Sequence, residues 1–261
     1  MLKLYDAARN AYLRLRWFPL SPLVLRAHTN TVRSVVFLPD GKRMVSGSKD
    51  GSIRTWRVED GEELGMVMKE GGAVVAVVAS SDGRWITTGG SKRTITIWNG
   101  TTNEKVIEWE AHTDWLKVLA FSPDSARVAS GSRDQTAVIW NTTGERLAGP
   151  LTPLEGHPGW VVFTEFSPDG DRIATGGGNL IRIWRSHHGG AVNSMDTSPD
   201  GTALRHGGAV NSVAISHDGR HLASGGRDRE VRVWNLQDII PRSLLKTTST
   251  DAVRVYLSTA Y

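Results

Sequence analysis

Short apolar runs of five or six residues, rich in Val, Ile, Ala and Thr, succeed one another along most of the chain. Runs such as SIRTW (52–56) alternate in polarity, which places successive side chains on opposite faces, the period of a strand. Small polar phrases separate them: LPDG at 38–41, SSDG at 80–83, SPDS at 122–125, SPDG at 167–170, SPDG at 198–201 and SHDG at 216–219. Proline presets φ at the first central turn position, and Asp and Gly tolerate the turn conformations of the next two, so each phrase predicts a hairpin. After each comes a second strand such as RMVSGS (43–48), a tight turn such as KDG or RDQ, and a third strand. A fourth, less regular strand leads to the next unit. The chain is expected to be all-β, built of four-stranded antiparallel meanders, with no more than a turn or two of helix at 3–12.

The units recur. Tryptophan closes the third strand at Trp56, Trp98, Trp140, Trp184 and Trp234, at intervals of 42, 42, 44 and 50 residues. Trp17, in AYLRLRW, is a sixth candidate. Ser or Thr precedes tryptophan by ten residues at Ser46, Thr88, Ser130 and Ser224. Asp precedes it by six at Asp50, Asp134 and Asp228, and His by twenty-eight at His28, His112 and His206. One small sheet cannot bury both of its faces; several stacked face to face in a ring do. With these residues in phase over 26–235, the chain resembles the WD-repeat β-propeller family, whose units span about 40–45 residues. The namesake Trp-Asp pair is absent: Arg57, Asn99, Asn141, Arg185 and Asn235 come directly after the five tryptophans.

Ser, His and Asp are also the members of a hydrolase triad. Three copies spread around a ring do not make one catalytic site, and no enzyme activity is expected. The resemblance implies that the four residues hydrogen-bond in series, from the Trp indole to Ser, His and Asp, and tie the strands of each blade together. Such a network stabilises only when every member is satisfied. Two units depart from the pattern and are expected to be softer. The second has Glu70 for His and Lys92 for Asp. The fourth keeps His157 and Thr175, but GGGNLIRIW is one residue short and lacks the aspartate.

The pattern gives five complete units, with a sixth shared between the termini: DAVRVYLS (251–258) as a first strand, AYLRLRW as a third and SPLVLRAH (21–28) as a fourth. The rival reading is a truncated propeller with exposed blade edges. HGGAVNS occurs at 188–194 and again at 206–212, a partial duplication. Residues 187–200 are read as a surface insertion, with GTALR (201–205) as the fourth strand, in preference to a half-formed blade. Residues 1–261 are taken as a single propeller domain.

Composition narrows the function. Net charge is +4, too mild by itself to demand a nucleic-acid partner. Without cysteine there is neither a disulfide nor a thiolate metal site. No apolar stretch has membrane-spanning length and no signal peptide is evident, so the expectation is a soluble intracellular protein, cytoplasmic or nuclear. His187, His188, His206, His217 and His221 crowd one segment without ligand spacing, so no metal or other cofactor is expected.

The resemblance places partner binding on one rim. The matching positions there are Thr31, Trp115, Trp160 and Ala209, then Arg33, Lys117, Val162 and Asn211, and, before the turn aspartate, Lys49, Arg133 and Arg227. Two tryptophans beside Arg33, Lys49, Lys117, Arg133 and Arg227 suit an acidic or phosphorylated peptide. The expected function is therefore a non-catalytic protein-interaction scaffold for a protein or peptide ligand, within a larger multidomain chain or complex. The alternatives are a basic-rim adaptor for nucleic acid or anionic lipid, and a truncated propeller with no independent activity. Nucleic acid is the weaker case, because no basic run with interleaved aromatics is present.

Overall fold

A computed structural model describes residues 23–143, 157–185, 204–205 and 207–236. Every regular element among the described residues is a β-strand. The first sheet comprises β1 (Val32–Phe37), β2 (Arg43–Ser48), β3 (Ser52–Arg57) and β4 (Glu63–Lys69). The second comprises β5 (Val74–Ala79), β6 (Trp85–Gly90), β7 (Thr94–Asn99) and β8 (Lys105–Glu110). The third holds β9 (Leu116–Phe121), β10 (Arg127–Ser132) and β11 (Ala137–Asn141). The fourth holds β12 (Val161–Phe166), β13 (Arg172–Gly177), β14 (Leu180–Arg185) and β15 (Leu204–Arg205). The fifth holds β16 (Val210–Ile215), β17 (His221–Gly226) and β18 (Val231–Asn235). Each sheet is an antiparallel meander in chain order. The third and fifth show three strands among the described residues.

The turn phrase works as its residues require. In the second blade Ser80 Oγ donates to Asp82 at 2.6 Å and accepts the amide of Trp85 at 2.9 Å, while Asp82 accepts the amide of Arg84 at 3.0 Å. The closing glycine sits at φ 72° at Gly83, in the left-handed region that favours glycine. Asparagine replaces the family's aspartate after tryptophan without loss of the turn. Asn99 Oδ1 accepts the amides of Thr101 and Thr102 at 2.8 and 3.0 Å.

Consecutive sheets pack face to face, first strand beside first strand, and the core lies between blades. Trp98 of the second blade packs with Val45 and Ile53 of the first. Trp140 packs with Ile95, Trp184 with Ala137, and Trp234 with Ile181, so these four tryptophans each face the preceding blade. β2 carries Gly47 where a side chain has no room: a Cβ there would lie 2.6 Å from Val74 Cγ1 of the next blade. Gly89 and Gly131 repeat this against Leu116 and Val161. Every first strand also bulges by one residue near its start, as between Val32 and Ser34.

The expectations for the less regular segments fare differently. Residues 23–28 make no strand pairing, so SPLVLRAH is not a fourth strand over its described part; Leu23 and Leu25 pack instead on the turn at Gly61. β15 does pair with β14, Leu204 with Ile181 and Arg205 with Leu180, in the fourth-strand place read for GTALR. Trp17, residues 187–200 and DAVRVYLS lie outside the described residues.

Candidate functional site

The repeated Ser, His and Asp residues are built into the interior of the blades. In the first blade Trp56 Nε1–H donates to Ser46 Oγ at 2.8 Å, Ser46 Oγ lies 2.8 Å from His28 Nε2, and His28 Nδ1 lies 3.1 Å from Asp50 Oδ2. The third blade repeats this through Trp140, Ser130, His112 and Asp134, at 2.9, 2.8 and 2.9 Å. Burial opposes the charge on Asp134, but hydrogen bonds from His112, Thr136 and the Thr113 amide hold its carboxyl well below the usual range. Burial likewise opposes the charge on Asp50, and Ser52, Thr29 and His28 hold it low in the same way. Ser130 is buried with bonds on both sides, so its hydroxyl cannot reach a substrate as a nucleophile. In the fifth blade Trp234 donates to Ser224 at 3.0 Å and Asp228 accepts the Gly207 amide at 2.9 Å; His206 lies outside the described residues.

The second blade corrects the expectation of a broken network. Trp98 Nε1–H donates to Thr88 at 2.8 Å, and Thr88 donates to Glu70 at 2.7 Å. Thr96 donates to the other carboxylate oxygen at 2.7 Å. Glu70, 2% exposed, thus takes over the roles of His and Asp with one side chain. In the fourth blade the network is incomplete. Trp184 donates to Thr175 at 2.7 Å and Thr175 meets His157 Nε2 at 2.8 Å, but His157 Nδ1 is buried without a partner. Burial, with the charge of Arg182, lowers the pKa of His157 to about 4.

At the end of the stack where the β10–β11 turn emerges, the structure brings several of the rim residues together. Arg133 sits in that turn, its amide bonded to the Trp115 carbonyl at 2.9 Å. Its guanidinium lies between two indoles, 4.7 Å from the Trp115 ring centre and 4.2 Å from that of Trp160. Lys117 stands over Trp160 at 5.7 Å. Burial and the charges of Arg133 and Arg33 lower the pKa of Lys117. The indoles remain 36% and 49% exposed at Trp115 and Trp160. Beyond Trp160 a hollow of about 350 Å³ lies between the fourth and fifth blades, lined by Gly159, Val162, Gly178, Asn211 and Arg227. None of Arg33, Lys49, Lys117, Arg133 and Arg227 has an ion-pair partner among the described residues.

Lys49 occupies the same turn position in the first blade, its amide bonded to the Thr31 carbonyl at 2.9 Å. The stacking of one arginine between two tryptophans is absent from the sequence expectations. Its signal was there: Trp115 and Trp160 hold the same repeat position in adjacent blades. His217 and His221 are exposed and unclustered, and among the described residues no His, Asp and Glu group could hold a metal ion.

The stacked four-stranded meanders define a β-propeller protein. The model for the WD domain, G-beta repeat, matches residues 21–57, 65–99, 103–141, 149–185 and 203–235, and the chain belongs to the WD-repeat family. Two solved structures are similar, one titled "Structure of U3-55K" and one "Crystal structure of RRP9 WD40 repeats". Each shares 25% identity with a TM-score of 0.66 over 84% of this chain. The chain spans 65% and 64% of theirs. No curated protein sequence matches it. WD-repeat propellers are generally non-catalytic platforms for protein–protein interaction. No helix among the described residues is long and apolar enough to cross a membrane.

Proposed function

We propose that this chain is a protein-interaction scaffold that binds an acidic segment of a partner across the Trp115–Arg133–Trp160 rim. The observation that carries the reading is the Arg133 guanidinium held between two half-exposed indoles, with the charges of Lys117 and Arg33 nearby and no ion-pair partner for the three among the described residues. Stacking fixes the planar fork, which reduces the entropy lost when it pairs with a carboxylate or phosphate. Exposed Trp and Arg are the residue types that dominate interface energetics. The hollow by Arg227 extends the surface to one side and is large enough for a side chain or two.

The test is a titration of the chain with a phosphoserine- and glutamate-rich peptide, monitored by tryptophan fluorescence. Arg133→Ala is expected to weaken binding by about tenfold or more, as hot-spot truncations do. Unchanged affinity would remove the rim from the account. Equal binding of the chain to a single-stranded oligonucleotide or an anionic vesicle, lost steeply with salt, would favour the adaptor for nucleic acid or lipid instead.

A further inference from the structure

The outer face of the fifth blade is an unfilled copy of the interface that joins the other four. Three residues before their tryptophans, Ile53, Ile95, Ala137 and Ile181 are each 0% exposed, packed in the clusters that join one blade to the next. Val231, at the same place in the fifth blade, is 79% exposed, and Val233 is 68% exposed. The glycine sockets agree. A Cβ on Gly47, Gly89 or Gly131 would meet Val74, Leu116 or Val161 of the next blade within 3 Å, and at Gly176 the space is taken by Phe163 of its own blade; at Gly225 it would meet nothing within 4 Å. The socket is formed and its plug is missing.

The plug is a branched aliphatic residue in a recurring phrase. Val74, Leu116, Val161 and Val210 each begin a first strand and each stands six residues before the serine of the hairpin turn, at Ser80, Ser122, Ser167 and Ser216. Residues 251–258, outside the described residues, read DAVRVYLS. Ala252-Val253 matches Ala73-Val74 and Ala209-Val210, and Ser258 matches the turn serine. The run between is one residue shorter, the length left when the first-strand bulge is removed.

We propose that residues 251–258 dock on the fifth blade as the first strand of a further blade, with Val253 in the Gly225 socket. A second copy of the chain fits less well. Seated by the same blade-to-blade geometry, it would add five blades to an arc of five, whereas rings hold about four to eight, and the two arcs would collide.

The chain has no cysteine, so a cysteine pair reports the contact cleanly. A Cβ on Gly47 would lie 3.4 Å from the Val74 Cβ, at the short edge of disulfide geometry. Gly47→Cys with Val74→Cys is therefore the positive control, and Gly225→Cys with Val253→Cys is the test. The proposal expects both pairs to close within one molecule under mild oxidation. Free thiols in the test pair beside a closed control would overturn it, as would links formed only between molecules. Gly225→Ala covers the case in which the cysteine variants fail to fold. It lowers the melting temperature, by roughly 3–6 °C, if Val253 fills the socket. An unchanged or raised melting temperature means the face is open, because alanine then only stiffens the unfolded chain.

Discussion

Ser, His, Asp and Trp recur in this chain because each blade must bury an indole N–H and satisfy it. The serine accepts from tryptophan, the histidine continues the chain, and the aspartate holds the histidine while accepting a loop amide. Glu70 shows that the requirement is for satisfied hydrogen bonds rather than for particular residue names. Trp140→Ala should therefore cost about 3–5 kcal/mol of unfolding free energy, the usual loss for a large buried aromatic. Trp98→Ala should cost a comparable amount, because its network is intact; chemical denaturation of the two variants compares them. His157 is the exception, and it carries a pH signature. Its folded pKa of about 4 lies below the ordinary value near 6.5, so the unfolded chain binds the extra proton first. The contribution of this group is full above pH 6.5 and is lost as pH drops toward 4, on the order of 3 kcal/mol. Asp50 and Asp134 add losses only further down, as pH falls below the carboxylate range. Replacing His157 with Gln should flatten the decline between pH 6.5 and 4 in urea midpoints, and an unaltered decline would place its origin elsewhere.

At the scale of strands, the alternating runs and the Pro-Asp-Gly phrases made β1–β3, β5–β7, β9–β11, β12–β14 and β16–β18 legible, because period and turn chemistry are local properties. Fourth strands were harder. β15 is two residues long, too short for a local period, and is placed within GTALR only because the repeat needs a fourth strand there. The run at 21–28 looks like a strand, but the course of its described part is set by tertiary contact, Leu23 and Leu25 on the Gly61 turn. The strand glycines also gain their meaning only from the neighbouring blade. Gly131→Ala should lower stability by about 1–3 kcal/mol, since the new Cβ would stand 2.5 Å from Val161 Cγ1. A thermal melt checks this, and a neutral result would mean that the third and fourth blades pack less closely than these distances require.

Over the whole molecule, stacking decides what a repeated residue is for. The same register that buries Ser130 and His112 within the stack lifts Arg133, in the adjoining turn, out between the tryptophans of two adjacent blades. The family resemblance put Trp115, Lys117, Arg133 and Trp160 on one rim. Their convergence on a single stacked arginine needed the angle between neighbouring sheets, which no local pattern encodes. Chemistry at the triad-like residues and recognition at the rim make opposite demands on substitution. The most direct measurement sets Ser130→Ala and Arg133→Ala side by side, each tested by melting and by titration with the acidic phosphopeptide. Ser130→Ala is predicted to lower the melting temperature and leave affinity unchanged for the folded fraction, while Arg133→Ala weakens binding by about tenfold or more at an unchanged melting temperature. Loss of binding in the folded Ser130→Ala chain, with full binding by Arg133→Ala, would contradict a scaffold that recognises its partner at the rim.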